Sequence, residues 1–190
     1  TFWTLTGRTI GIGLVVGVVV TALAFTMAYG IRFRFSTRSG RRLLAVVIAA
    51  GVASFLVRIF AWATILNGNG LVNRVLSALG ITSEPVESLF YSPFAVVVTM
   101  SYLYLPIGIV IMHGALQGVD AHSLEAGRDL GAGRWRTALQ AVAPQVRNAI
   151  TTCFVLTTVL AAADYVTPQL VGGTAGITVG VEIRDRAITG

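Results

Sequence analysis

Four long apolar runs separated by polar stretches set the pattern of this chain, at about residues 9–31, 43–66, 93–116 and 149–170. Each approaches the roughly 20 residues with which an α-helix crosses the hydrocarbon core of a bilayer. The pattern predicts an all-α, polytopic transmembrane helical bundle, one domain over residues 1–190. Gly7 and Gly11, and Gly13 and Gly17, stand four apart, a spacing that lets helices approach closely in lipid. Pro106 inside the third run predicts a kink or a local break, and Pro168 lies near the end of the fourth. Asn67-Gly68-Asn69-Gly70 closes the second run with turn chemistry. Beyond it Leu71, Val72, Val75, Leu76 and Leu79 recur at helical spacing, which predicts a short amphipathic helix along the membrane face. The tail over 177–188 holds Glu182, Arg184, Asp185 and Arg186, too polar for a span, and reads as a second external amphipathic helix.

Charge orients these runs. Arg32, Arg34, Arg38, Arg41 and Arg42 follow the first run with no acidic residue among them, so this loop is expected in the cytoplasm. The 67–91 loop is then external and the 117–147 loop cytoplasmic, the latter with Arg128, Arg134, Arg136 and Arg147. Four spans put both ends of the chain outside. The composition agrees: 55% of residues are hydrophobic and 12% charged, with a mean hydropathy of +0.78, and a soluble domain carries roughly twice that charged fraction. The net charge of +6 comes from arginine alone, since the sequence has no lysine. That excludes a P-loop ATPase, whose phosphate-binding motif requires one. The positive-inside bias accounts for the basic balance more simply than nucleic acid does. Cys153 has no second cysteine to pair with, and His113 and His122 alone make no metal centre. Ser54, Thr99 and Ser101 have no histidine near them in sequence, so no nucleophile–base set is expected.

Within the cytoplasmic loop, residues 120–144 carry the signals of a helix-turn-helix. Asp120 can cap a first helix, Glu125 lies early in it, where negative charge is favoured, and Gly131 suits the left-handed residue that ends it. Residues 134–142 can form a second helix that Pro144 stops. Arg58 and Asp164 are the ionisable residues placed inside the spans. Such charges pair with each other or line a wet cavity. Beside them Phe60, Trp62, Tyr102, Tyr104 and Tyr165 supply aromatic faces, which serve as interface anchors and packing or take part in a cation pathway.

The pattern E-A-A-x-x-x-G-A, with a proline thirteen positions after that glycine, is met by Glu125, Ala126, Gly131, Ala132 and Pro144. It resembles the EAA loop of the permeases of ABC importers. Leu56–Trp62 with Asn67–Gly70, Tyr102–Pro106, and Asp164–Pro168 with Gly172-Gly173 resemble the spermidine/putrescine-type branch of that family. The resemblance covers nearly the whole chain and implies a type I importer permease fold, in a multi-pass protein of the bacterial inner membrane. It implies that Glu125, Ala126, Gly127, Asp129, Gly131, Ala132, Arg134 and Pro144 receive the ATPase subunit. It further implies a second permease subunit that completes the pathway and an external solute-binding protein that delivers substrate. ATP and magnesium would sit on the ATPase, leaving this chain without a cofactor or a catalytic role. One further span is expected before Thr1 and one after Gly190. Asp164, Tyr165, Arg58, Trp62 and Tyr102 are the residues expected along the pathway of a polyamine. Related permeases take iron, thiamine or phosphonates. Gly127 stands where a second alanine is usual, and Ala138, Ala141 and Ala143 stand where larger apolar residues are usual. Those larger side chains would anchor the second helix, and their loss removes contact worth about 1–3 kcal/mol for each fully buried side chain, so that either docking is looser or the partner fills the space. The residues themselves also allow an ion-coupled secondary transporter built on Arg58 and Asp164, or a membrane scaffold whose loop binds a partner.

Overall fold

A computed structural model describes residues 2–82, 86, 89–119, 133–173, 178 and 180–181, and every regular element among them is helical. The helices are α1 Phe2–Phe33, α2 Thr37–Val52, α3 Phe55–Leu66, α4 Leu71–Ala78, α5 Pro93–Gln117, α6 Arg134–Thr137 continued by a π turn over Ala138–Val142, α7 Arg147–Ala163 and α8 Val166–Val171. Three stretches are long and apolar enough to cross a membrane: Trp3–Phe33, Phe55–Ala78 and Pro93–Gln117.

Along α1 the buried residues Ile12, Val16, Val20, Ala24 and Ala28 recur every fourth position, one narrow stripe. Most of the remainder is apolar yet exposed, including Leu14, Val15, Val18, Leu23 and Met27. An exposed apolar surface of that extent suits lipid rather than water.

The chain divides into two compact units. One comprises 18–52 and 104–157. Its core joins Ala24, Phe25, Ala28 and Ile31 of α1, Ile109, Met112 and Leu116 of α5, Ala138 and Val142 of the π turn, Val146 and Cys153. The other comprises 1–17, 53–103 and 158–190. In it α3 packs against both α4 and α8. The α4 helix is pinned by buried Asn73, whose Nδ2 donates to the Asn67 carbonyl at 3.2 Å and whose Oδ1 accepts the Val86 N–H at 2.9 Å. Leu71, Val75 and Leu79 of its expected apolar stripe are exposed.

Three expectations change. The 43–66 run is two helices rather than one, because Ser54 leaves the helical region with φ −50° and ψ 130° and its carbonyl starts a new helix by accepting the Arg58 N–H. Gly51 and Ser54 are weak helix formers, so the interruption costs little. The 149–170 run is likewise split after Ala163, where Asp164 and Tyr165 turn the chain into α8. By contrast Pro106 does not break α5, which continues to Gln117. The expected external helix over 177–188 falls largely outside the described residues.

Candidate functional site

The expected pathway residues all fall in the unit made of 1–17, 53–103 and 158–190. On α3, Arg58 and Trp62 are four apart and share a face. On α5, Tyr102 and Leu103 meet them: Arg58 Nη1 donates to the Leu103 carbonyl at 3.3 Å, and the Trp62 and Tyr102 rings stand edge to face with centroids 5.6 Å apart. Arg58 Nε is buried without a hydrogen-bond partner. Tyr102 keeps a partly open face at 39% exposure.

Asp164 is tied to the turn that starts α8. It is buried, and its Oδ1 accepts the backbone N–H of Val166 at 2.9 Å and of Thr167 at 3.1 Å. Its Oδ2 accepts the hydroxyl of fully buried Thr167 at 2.5 Å. The next residue, Pro168, has no N–H, and the Gln169 N–H reaches the Tyr165 carbonyl at 3.3 Å. The Val166 and Thr167 donors, which a helix start leaves without an intrahelical partner, are thereby satisfied at α8. A carboxylate at that end also complements the helix dipole. Tyr165, between Asp164 and α8, is 43% exposed and is presented by this turn. Arg58 and Asp164 are thus each held by backbone, one at the Leu103 carbonyl and the other at the α8 N-terminus.

The expected docking loop is described from Gly133 onward. Glu125, Ala126, Gly127, Asp129, Gly131 and Ala132 lie outside the described residues, as does the side chain of Arg134, the first residue of α6. The second helix of the loop belongs to the unit made of 18–52 and 104–157. Thr137 closes its first turn, bonding the Gly133 carbonyl through both its N–H and its hydroxyl. From Ala138 the helix widens, and the Ala143 N–H reaches the Ala138 carbonyl at 2.9 Å, five residues back. Pro144 explains the change: in a regular helix its ring would strike the Gln140 carbonyl and offer it no donor. Pro144 is exposed, and regular α-helix resumes only at Arg147.

One face of this segment is a seat. Ala138, Val142 and Val146, spaced by four, are at most 3% exposed and join the core. The opposite face is open, with Leu139 58% exposed beside exposed Arg136 and Gln140, whose side chains bond each other at 3.1 Å. Val142 and Val146 anchor the helix on this face, and Ala138 is enclosed beside them. Leu139, Val142 and Thr167 were missed in the sequence, although the four-residue spacing of Ala138, Val142 and Val146 was a usable signal.

Helical stretches long and apolar enough to cross a membrane, with exposed faces suited to lipid, are those of a multi-pass membrane protein. Residues 20–189 match the family described as the binding-protein-dependent transport system inner membrane component, and the chain belongs to that family. It is therefore an inner-membrane permease domain of the ABC importer class. The chain is 28% identical over 142 residues to the spermidine/putrescine transport system permease protein PotB of Escherichia coli K12, covering 75% of this chain and 51% of that protein. It is 29% identical over 178 residues to the inner membrane ABC transporter permease protein YdcU of the same strain, covering 87% and 56%. With the putative ferric transport system permease protein FbpB 1 of Haemophilus influenzae it shares 27% identity over 168 residues, covering 83% and 24%. The chain thus spans 51% of PotB and 56% of YdcU, about half of each.

Proposed function

We propose that the chain is part of the permease subunit of an ATP-driven importer for polyamines, and that it forms half of the substrate pathway. The observation that carries the energy-coupling part is the two-faced segment at 134–146. Ala138, Val142 and Val146 tie it to the core while Leu139, Arg136 and Gln140 stay open. A partner bound to the open face can move the segment only by moving the helices that hold its other face. In this reading an ATPase subunit binds the 120–144 loop and carries ATP and magnesium. A second permease subunit completes the pathway, and an external solute-binding protein delivers the substrate. The chain itself carries no cofactor and performs no catalysis.

The polyamine assignment is supported by the likeness to PotB and by the aromatic faces of Trp62, Tyr102 and Tyr165, which suit a flexible cation. Likeness to FbpB 1 keeps a ferric substrate as the second reading. Uptake of labelled spermidine by proteoliposomes holding the full-length permease, its partner permease and the ATPase tests both. Uptake that requires ATP, is supported by the binding protein and is competed by putrescine supports the proposal. Uptake driven by an ion gradient without the ATPase overturns it, and ferric uptake without spermidine uptake selects the second reading.

A further inference from the structure

The basic loop after α1 does more than carry charge. Arg32, Thr37, Gly40, Arg41, His113 and Gln117 enclose a polar cavity of about 340 Å³. Its narrowness depends on Gly40, which is buried where any Cβ would come within 2.9 Å of the Ile31 carbonyl, so that α2 lies close against the last turn of α1. The described residues that line it supply hydrogen-bond donors and include no acid. Among the described residues of its unit there is no Asp or Glu at all. Arg32 is braced over the Phe33 ring at 5.3 Å. On the α5 side the imidazole of His113 carries a buried Nδ1 without a hydrogen-bond partner.

A second, apolar cavity of about 570 Å³ adjoins the first and shares Ile31 and Phe35 with it. Its walls include Met27 on α1 and Leu43 and Val47 on α2. Both helices lead from the basic turn into their apolar stretches. At 1.5 Å per residue, Met27 lies about 6 Å along α1 from Ile31, and Val47 about 9 Å along α2 from Arg41. A polar, cationic mouth that continues into an apolar groove at the cytoplasmic end of two helices has the dimensions and chemistry of one lipid.

We propose that this unit binds an anionic phospholipid, with its phosphate between Arg32, Arg41 and His113 and an acyl chain along Met27, Leu43 and Val47. Its lining includes none of the residues expected along the substrate pathway. The groove selects a lipid over a free phosphate ion, which would use the polar cavity alone.

The test compares full-length wild type, R32Q/R41Q and R38Q/R42Q in nanodiscs of phosphatidylcholine doped with phosphatidylglycerol, after correct insertion of each has been verified. Lipid retained on the protein after transfer to detergent is read by native mass spectrometry. Both double variants lose the same charge, but Arg38 and Arg42 do not line the cavity. The wild type should retain phosphatidylglycerol in preference to phosphatidylcholine. R32Q/R41Q should reduce that retention about 10-fold, and R38Q/R42Q less than about twofold. L43W, which fills the groove without changing charge, should reduce retention as strongly as R32Q/R41Q, and it decides the matter if a charge variant fails to insert. Equal loss in the two arginine pairs overturns the site in favour of diffuse attraction. Retention unchanged by L43W, with inorganic phosphate displacing the lipid, overturns it in favour of a soluble anion.

Discussion

Truncating the two faces of the 134–146 segment separates its seat from its docking surface. Val142 is fully buried, so Val142→Ala removes both γ-methyl groups from the core. At about 0.8 kcal/mol per buried carbon that is about 1.6 kcal/mol, and incomplete collapse of the cavity brings it to about 2–3 kcal/mol. Leu139 is 58% exposed, so Leu139→Ala should cost the isolated permease less than about 0.5 kcal/mol. If the ATPase covers Leu139, roughly half of a leucine's full burial is gained only on docking. That is about 1–1.5 kcal/mol, or roughly a 5- to 12-fold change in Kd. Thermal unfolding can be followed with a thiol-reactive dye on Cys153, which is buried in the same core. ATPase affinity can be measured by titrating the purified ATPase onto the permease in nanodiscs. Leu139→Ala should weaken docking with an unchanged unfolding temperature, and Val142→Ala should lower the unfolding temperature. Unchanged affinity in Leu139→Ala would refute the assignment of the open face, and an unchanged unfolding temperature in Val142→Ala would refute that of the seat.

Asp164→Ala should destabilise the permease by about 1–2 kcal/mol, the worth of a helix cap, and Thr167→Val by a smaller amount, both read as unfolding temperature; a variant that loses spermidine uptake at full stability would instead make Asp164 a substrate ligand. Gly173→Ala should be strongly destabilising, because Gly173 has φ +54° and a Cβ there would lie 2.7 Å from that of Tyr91; wild-type stability in that variant would refute the packing. Gly131→Val should weaken co-purification of the ATPase, since the turn needs a permissive backbone, and unchanged binding would remove that account of the loop. A cysteine at Ser36, in a Cys153→Ala background, should be labelled by an impermeant reagent only from the cytoplasmic side, and labelling from outside would invert the topology.

What was legible in the sequence followed from composition and period. The helices α1 and α5 are single apolar runs, and nothing else accommodates their length. The split between α2 and α3 was hidden because the largely apolar run over 43–66 has one composition whether it forms one helix or two. What divides it is local, the departure of Ser54 from helical geometry. The docking segment is legible through its polar punctuation, and its buried face through the four-residue spacing of Ala138, Val142 and Val146. The capping contact of Asp164 was legible as well: it stands just before a proline-bearing short helix, with threonine three residues on.

Backbone groups account for where the polar side chains went. In hydrocarbon each unpaired backbone group must find a partner inside the protein. Arg58 donates to the Leu103 carbonyl, and Asp164 accepts the amides of Val166 and Thr167 at the start of α8. The two intramembrane charges singled out as functional are therefore first of all backbone partners. A buried carboxylate already accepting two amides and a hydroxyl has little left to offer a passing ammonium group. On the polyamine reading, the discriminating contacts then fall to the open faces of Tyr102 and Tyr165 and to Trp62 beside Tyr102. Cation–π attraction there is worth about 0.5–2 kcal/mol per contact. That is weak enough to release the substrate and additive enough to prefer a chain with several positive charges over a single cation.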